Sequence, residues 1–126
     1  QFLNTGAAEV AMTDIAIGLA LEGKIPVVYS ITTFLLYRPF EAIRNYIHYE
    51  KIPVKLIGSG RDKDYHVDGI SHWSEDARGL FQSQADDDVP IFENIESYWA
   101  DTKEEIPSLV EEILYNEKPC FLSLRR

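Results

Sequence analysis

The tripeptide Lys-Ile-Pro occurs at 24–26 and again at 51–53, each time closing a helical pattern and opening a short apolar run. The first introduces Val27-Val-Tyr-Ser30 and the second Val54-Lys-Leu-Ile57. Proline lacks an amide hydrogen and turns the preceding residue away from helix, so both phrases separate a helix from a strand. Strands that alternate with helices of this length are joined by right-handed crossovers, which predicts an α/β fold with a mainly parallel sheet.

The chain opens on a short apolar-polar segment, Phe2-Leu3-Asn4, read as the end of a strand, which breaks at Gly6. Met12, Ile15, Ala16, Leu19 and Ala20 then follow the spacing of one helix face. Glu9 falls in the first turn of that helix, just past the strand end. The carboxyl ends of strands are where ligands bind in open parallel sheets. A carboxylate there has a structural explanation as well, because it complements the positive end of the helix dipole.

A second helix follows Pro39, with Phe40, Ile43 and Ile47 inward and Glu41, Arg44 and Glu50 outward. Gly58-Ser-Gly60 ends the next strand. From Gly60 to Trp73 the sequence is polar and without period, an ordered loop at the carboxyl end of the sheet. Ser74-Glu-Asp76 opens a short helix through Leu80 and Phe81, and Gln82 to Asp88 is a loop. Pro90-Ile-Phe92 is expected to be an edge strand, followed by Ile95, Tyr98 and Trp99 as packing residues. Thr102 and Glu105 have capping-box spacing. Ile106, Leu109, Val110, Ile113 and Leu114 mark an amphipathic helix, and Cys120-Phe-Leu-Ser-Leu124 is the last strand, closed by Arg125-Arg126.

At 126 residues the chain is expected to be one domain, 1–126, with a core of its own. A net charge of -9 argues against a nucleic-acid groove, which needs clustered Lys and Arg. No apolar run approaches the ~20 residues of a membrane-spanning helix. The opening Gln-Phe-Leu-Asn has no charged segment or cleavage pattern, and a cytoplasmic location is expected. Cys120, the single cysteine, has no partner for an internal disulfide and reads as a buried strand residue.

Three groups of residues carry possible chemistry. Ile31, Phe34 and Tyr37 recur every third position. Core packing is the usual reason for such a stripe, yet a flat heteroaromatic ligand needs the same surface, since rings gain from offset stacking. Asp64, His66, Asp68 and His72 crowd one loop without a compact zinc spacing, so no metal is assigned to them. The Asp68-Gly-Ile-Ser-His72 unit reads better as a hydrogen-bonding pair, with His72 placed to polarise a substrate carbonyl or hydroxyl. Gly58-Ser-Gly60 lacks the third glycine of a dinucleotide loop, and Ser30 and Ser59 have no evident triad partners.

Asn4-Thr-Gly-Ala-Ala-Glu9-Val-Ala-Met12 and Gly18-Leu-Ala-Leu-Glu-Gly23-Lys-Ile-Pro26 resemble the pyrimidine-binding domain of transketolase-like thiamine diphosphate enzymes. The resemblance continues in family order through Ser30-Ile-Thr-Thr-Phe34, Arg38-Pro-Phe-Glu-Ala-Ile-Arg44, Pro53-Val-Lys-Leu-Ile-Gly-Ser-Gly60, Asp68-Gly-Ile-Ser-His72 and Pro119-Cys-Phe-Leu-Ser-Leu-Arg-Arg126. The stretch from Gln82 to Glu104 matches poorly. The resemblance implies a three-layer α/β/α sandwich, here without the leading helix and strand of the family domain.

In that family the glutamate matching Glu9 bonds N1' of the cofactor's aminopyrimidine and favours the imino form that takes the C2 proton; the cofactor then serves as electron sink. A poorly solvated Glu9 is expected to have a raised pKa. The resemblance places Phe34 and Tyr37 against the aminopyrimidine, with Ile31 where transketolases commonly carry another aromatic. Asp68 and His72 fall on the loop that meets the sugar, His72 with a catalytic role. Arg126, with Arg125 beside it, matches the arginine that holds a sugar phosphate. Gly60 stands about where many transketolases carry a substrate-contacting histidine.

The Gly-Asp-Gly and Asn motif that binds the diphosphate and Mg2+ in this family is not in the chain. The resemblance therefore implies a split enzyme: this chain pairs with a diphosphate-binding subunit, in a homo- or hetero-oligomer, to move a two-carbon ketol unit between sugar phosphates. Two alternatives stay open. One is another thiamine diphosphate reaction, 2-oxo acid decarboxylation or a deoxyxylulose-phosphate-type condensation, and the other is a non-catalytic scaffold with the same fold.

Overall fold

The structure, a computed structural model, describes residues 1–86 and 88–126. Asp87, within the predicted 82–88 loop, lies outside the described residues. Among the described residues β1 (Val27–Ile31), β2 (Lys55–Ser59), β3 (Glu96–Trp99) and β4 (Cys120–Leu124) form one sheet in the order β1-β2-β4-β3. Every pairing is parallel, as the alternation of helix and strand predicts.

The register places Val28, Leu56 and Phe121 in one cross-strand row and Tyr29, Ile57 and Leu122 in the next. Because side chains alternate across a strand, these rows face opposite layers. The first row meets α1 (Glu9–Leu21), α2 (Thr32–Tyr37) and α3 (Phe40–Ala42), which continues as a π-helix over Ile43–Tyr49. Leu35, Leu36, Ile43 and Ile47 of this layer are fully buried, each worth about 1.5–3 kcal/mol over an exposed position. The opposite face carries α4 (Ile106–Tyr115), whose Ile113 packs with Cys120 and Leu122. The three-layer α/β/α arrangement is therefore present.

The two Lys-Ile-Pro phrases stop their helices one position apart. After α1, Gly23 takes φ +73; its amide donates to the Ala20 carbonyl (2.9 Å) and that of Lys24 to Leu19 (3.0 Å), the paired bonds of a Schellman closure. In the second phrase Lys51 itself takes φ +57, and the Ile52 amide donates to the Tyr46 carbonyl (3.2 Å).

Several expectations are corrected. Phe2-Leu3-Asn4 forms no strand, and Phe2 and Leu3 are exposed. The inner face of α1 is Glu9, Thr13, Ala16, Ile17 and Ala20, while Ile15 and Leu19 point outward and Met12 is half-buried. Burial of the Glu9 carboxylate sets that phase: positions four, seven, eight and eleven further on follow it inward, which turns Ile15 and Leu19 away. The strand at this edge of the sheet is β3, with β1 at the other edge, and not Pro90-Ile-Phe92. Phe92 sits in a turn with its ring fully buried between Phe40 and Phe81, so side-chain packing decides its conformation. The short helix after Ser74 is a 3-10 turn, Ala77–Leu80, and the 60–73 loop holds two more, His66–Asp68 and Ile70–His72. Glu105 accepts from the Thr102 hydroxyl (3.1 Å) and from the Asp101 amide (3.0 Å). The reach back thus goes one residue beyond that of a capping box, and α4 begins only at Ile106.

Candidate functional site

The carboxyl end of β1 runs directly into α2, with Ile31 extended at the junction (φ -60, ψ 136). Gly58 on the neighbouring strand makes this turn possible: a Cβ there would stand 2.6 Å from Thr32 Oγ1 and 2.9 Å from the Phe121 ring. The Thr32 hydroxyl donates to the Gly60 carbonyl at 2.7 Å, pinning the first turn of α2 to the end of β2. Thr32, Thr33, Leu35 and Leu36 are then the buried face. Ile31 and Phe34 are left half-buried and Tyr37 more open, at the sheet's carboxyl end. The Ile31-Phe34-Tyr37 stripe is not core.

Glu9 enters this surface from the first turn of α1 and is only 7% exposed. Its Oε1 accepts from the Ser30 hydroxyl (3.1 Å) and its Oε2 from Arg38 Nη1 (2.6 Å). Burial pushes its pKa up, but the bonds from Arg38 and Ser30 pull it down and prevail, so the carboxyl is held below its ordinary value. The raised pKa expected for a buried Glu is thus reversed, because charge-assisted donors replace the lost water.

Phe34 lies beside this pair. The Arg38 guanidinium sits over its ring, 3.8 Å from the centroid, and the His72 ring meets it edge-on with centroids 4.9 Å apart. The Thr33 hydroxyl donates to the Ser71 carbonyl (3.0 Å) and so fastens the loop carrying His72 to α2. The Ser71 hydroxyl lies 3.0 Å from His72 Nδ1.

Beyond His72 stands Tyr65, with ring centroids 6.2 Å apart. Its ring occupies the space in front of Gly60 (φ +80), where a Cβ would fall 2.1 Å from the Tyr65 ring. The Arg126 guanidinium lies over the other end of this chain of contacts, 4.8 Å from the Tyr65 centroid. Arg125 pairs with Asp62 (3.4 Å) and Asp64 (3.3 Å). Bonds from the Arg61 and Arg126 amides outweigh burial and hold Asp64 below its ordinary value.

Of the predicted residues, then, Glu9, Phe34 and His72 form one connected group through Arg38. Ile31 adjoins it next to Ser30, and among the described residues Arg126 reaches it through Tyr65. Asp68 is exposed on the His66–Asp68 turn. The Tyr37 phenol is raised by burial and by the Asp76 carboxylate. Among the described residues no hydrogen bond or ring contact joins Tyr37 or Asp68 to Glu9. Sequence reasoning did not single out Ser30, Arg38 or Tyr65 as parts of this group. The four-residue step from Phe34 to Arg38 was the available signal, because it stacks a long cation over a ring on one helix face. Ser30 meets Glu9 across the fold, and Tyr65 meets His72 within a loop that has no period, so neither leaves such a trace.

The profile of the family described as transketolase, pyrimidine binding domain, matches residues 1–126. The putative transketolase C-terminal section of Methanocaldococcus jannaschii is 39% identical over 72 residues, 57% of this chain and 23% of that protein. The 6-deoxy-6-sulfo-D-fructose transketolase subunit of a Clostridium species is 28% identical over 98% of this chain and 36% of its own length. Among solved structures, a split-gene transketolase described as an inactive beta4 tetramer superposes with a TM-score of 0.80 at 28% identity, covering 99% of this chain and 37% of that one. The chain spans about a quarter to a third of the length of these curated relatives.

Proposed function

Since the chain belongs to the transketolase pyrimidine-binding-domain family, we propose that it supplies the aminopyrimidine-binding half of a thiamine diphosphate-dependent split transketolase. The reaction is transfer of a two-carbon ketol unit between sugar phosphates. A diphosphate-binding subunit holds the Mg2+ and the rest of the cofactor. The observation that carries this reading is the Glu9 carboxylate, almost wholly buried beside the Phe34 ring at the carboxyl end of a parallel sheet. An aminopyrimidine needs both features: a fixed acceptor for a ring nitrogen and an aromatic face to lie on.

That fit suggests the roles of the residues. Glu9 would accept the hydrogen bond from the ring nitrogen, with Ser30 orienting the carboxylate. Phe34 would stack on the ring, with Ile31 and Tyr37 at its margin. When bound, the cofactor supplies an electron sink for making or breaking a carbon–carbon bond next to a carbonyl. His72, whose loop is bonded to Thr33 and whose ring meets Phe34, takes the role of hydrogen-bond donor to a substrate oxygen in this reading, and the exposed Asp68 that of an acceptor from a hydroxyl. Arg126 takes the phosphate end of the sugar. The relatives named as a transketolase section and as a transketolase subunit support the reaction class. The split-gene neighbour, inactive as a beta4 tetramer, supports the need for a partner.

One observation favours a different acceptor from that of many transketolases. The Tyr65 ring fills the space a side chain at position 60 would use, with its hydroxyl 3.1 Å from Ser59 Oγ, so this part of the site presents an aromatic ring in place of an imidazole.

The test is turnover by the complex with its diphosphate-binding subunit, on sugar phosphates and separately on pyruvate. Glu9→Gln is expected to lower the sugar reaction by about a hundredfold or more. Undiminished turnover by that variant overturns the catalytic reading, and turnover on pyruvate alone moves the reaction to 2-oxo acid chemistry.

A further inference from the structure

We propose that Arg38 is a built-in occupant of the surface formed by Glu9 and Phe34, which a planar ligand must displace and which thereby selects ligands that present an N–H donor edge. The inference rests on the reading of that surface as a ring-binding site. The guanidinium is flat, lies over Phe34 at 3.8 Å, and donates to Glu9 Oε2 at 2.6 Å. Those are the two contacts an aminopyrimidine would make, stacking on one face and donation from an edge nitrogen to a carboxylate. One guanidinium makes both, so Arg38 in this position and such a ring exclude each other.

The balance between the two depends on what each leaves behind. Arg38 follows the last residue of α2 and its side chain is 44% exposed, so a move outward returns the cation to water. Glu9 is 7% exposed and has no comparable escape. Losing Arg38 strips it of its charged donor and leaves the Ser30 hydroxyl (3.1 Å). A buried carboxylate tolerates that loss only if the incoming ring brings a donor of its own. Flat rings without an N–H edge gain the stacking on Phe34 but leave Glu9 short of a partner, and so fail to displace Arg38. The arrangement also keeps Glu9 and Phe34 covered when no ligand is bound.

The experiment is a titration of 4-amino-2-methylpyrimidine into the full chain, followed through the Phe34 ring and Glu9 carboxyl NMR signals. The comparison set is the unmodified chain, Arg38→Met, and Arg38→Met combined with Glu9→Gln; toluene serves as the donor-free ring, and thermal melts confirm folding. The expected result is binding roughly tenfold tighter in Arg38→Met than in the unmodified chain, a gain of about 1.4 kcal/mol, lost again in the double variant. The methionine variant should prefer the aminopyrimidine over toluene less strongly than the unmodified chain does. Equal or weaker aminopyrimidine binding by Arg38→Met overturns the occupant role while leaving Glu9 and Phe34 as the ring site. Absence of saturable shifts in every form overturns the inference and removes the support for the ring-binding reading.

Discussion

The Ser30 hydroxyl, at the carboxyl end of β1, donates to the Glu9 carboxylate across 21 residues of chain, at 3.1 Å. This bond fixes the rotation of α1 against the sheet, because it draws an ionised side chain under the helix where an apolar one would otherwise lie. Ser30→Ala removes the donor and leaves the rest of the packing in place. The expected cost is about 1 kcal/mol in urea unfolding, with the Glu9 carboxyl titrating at a higher pH by 13C NMR. An unchanged Glu9 titration would mean that Arg38 alone holds the carboxylate.

Glu9, Asp64 and Glu96 are all held below their ordinary pKa values: Glu9 and Asp64 by bonds that outweigh burial, Glu96 chiefly by Lys118. A carboxyl whose folded pKa is depressed contributes stability above its unfolded value, near 4, and loses it as pH falls through the folded value. The melting temperature is therefore expected to drop on acidification below about pH 4.5. In Arg38→Met the drop should be shallower from a lower neutral-pH starting point, since Glu9 no longer gains its ion pair on folding. An acid limb of unchanged slope in that variant would count against the Glu9–Arg38 contribution.

Arg61, at the end of β2, is 2% exposed yet fully engaged. It donates to Ser123 Oγ (3.2 Å), the Ser123 carbonyl (3.0 Å), the Ala100 carbonyl (2.6 Å) and Asp101 Oδ1 (2.5 Å). It thereby ties the carboxyl ends of β2, β3 and β4 together. Arg61→Met should cost roughly 3–5 kcal/mol by denaturant unfolding, since buried carbonyls lose their partners. Asp101→Ala should cost about 1 kcal/mol or less, because Asp101 is 71% exposed and the guanidinium keeps its other acceptors. Similar losses in the two variants would show that the ion pair, not the carbonyl bonds, is the main contribution.

Gly60 combines φ +80 with the Tyr65 ring packed where a Cβ would project. Gly60→Ala is expected to cost about 1–3 kcal/mol, from backbone strain and the clash together. Adding Tyr65→Ala relieves the clash but not the strain, so a double-mutant cycle should give a favourable coupling of about 0.5 kcal/mol or more. Strict additivity would place the whole penalty in the backbone.

The local punctuation of this fold could be read directly from the chain. Pro26 and Pro53, the apolar runs after them and the amphipathic 106–114 pattern are local signals, and they specified an α/β fold with a mainly parallel sheet; that helices cover both faces was implied by the family resemblance. The family resemblance singled out Glu9, Phe34 and His72, which the folded chain links through Arg38. Short-range reading failed where a distant group decided the outcome. Phe92 left the predicted edge strand because the Phe40 and Phe81 rings enclose it.

The sequence by itself determined the alternation that sets α1, β1, β2, α4 and β4, since helix and strand periods and proline stops act within a few residues, while β3 and the 3-10 turns followed from packing. Only the tertiary structure decided the state of the site. Whether a buried Glu9 ends protonated or ionised depends on Ser30 and Arg38, 21 and 29 residues away. Burial and charge-assisted bonding push its pKa in opposite directions, and the outcome is a balance of distances that no local pattern encodes.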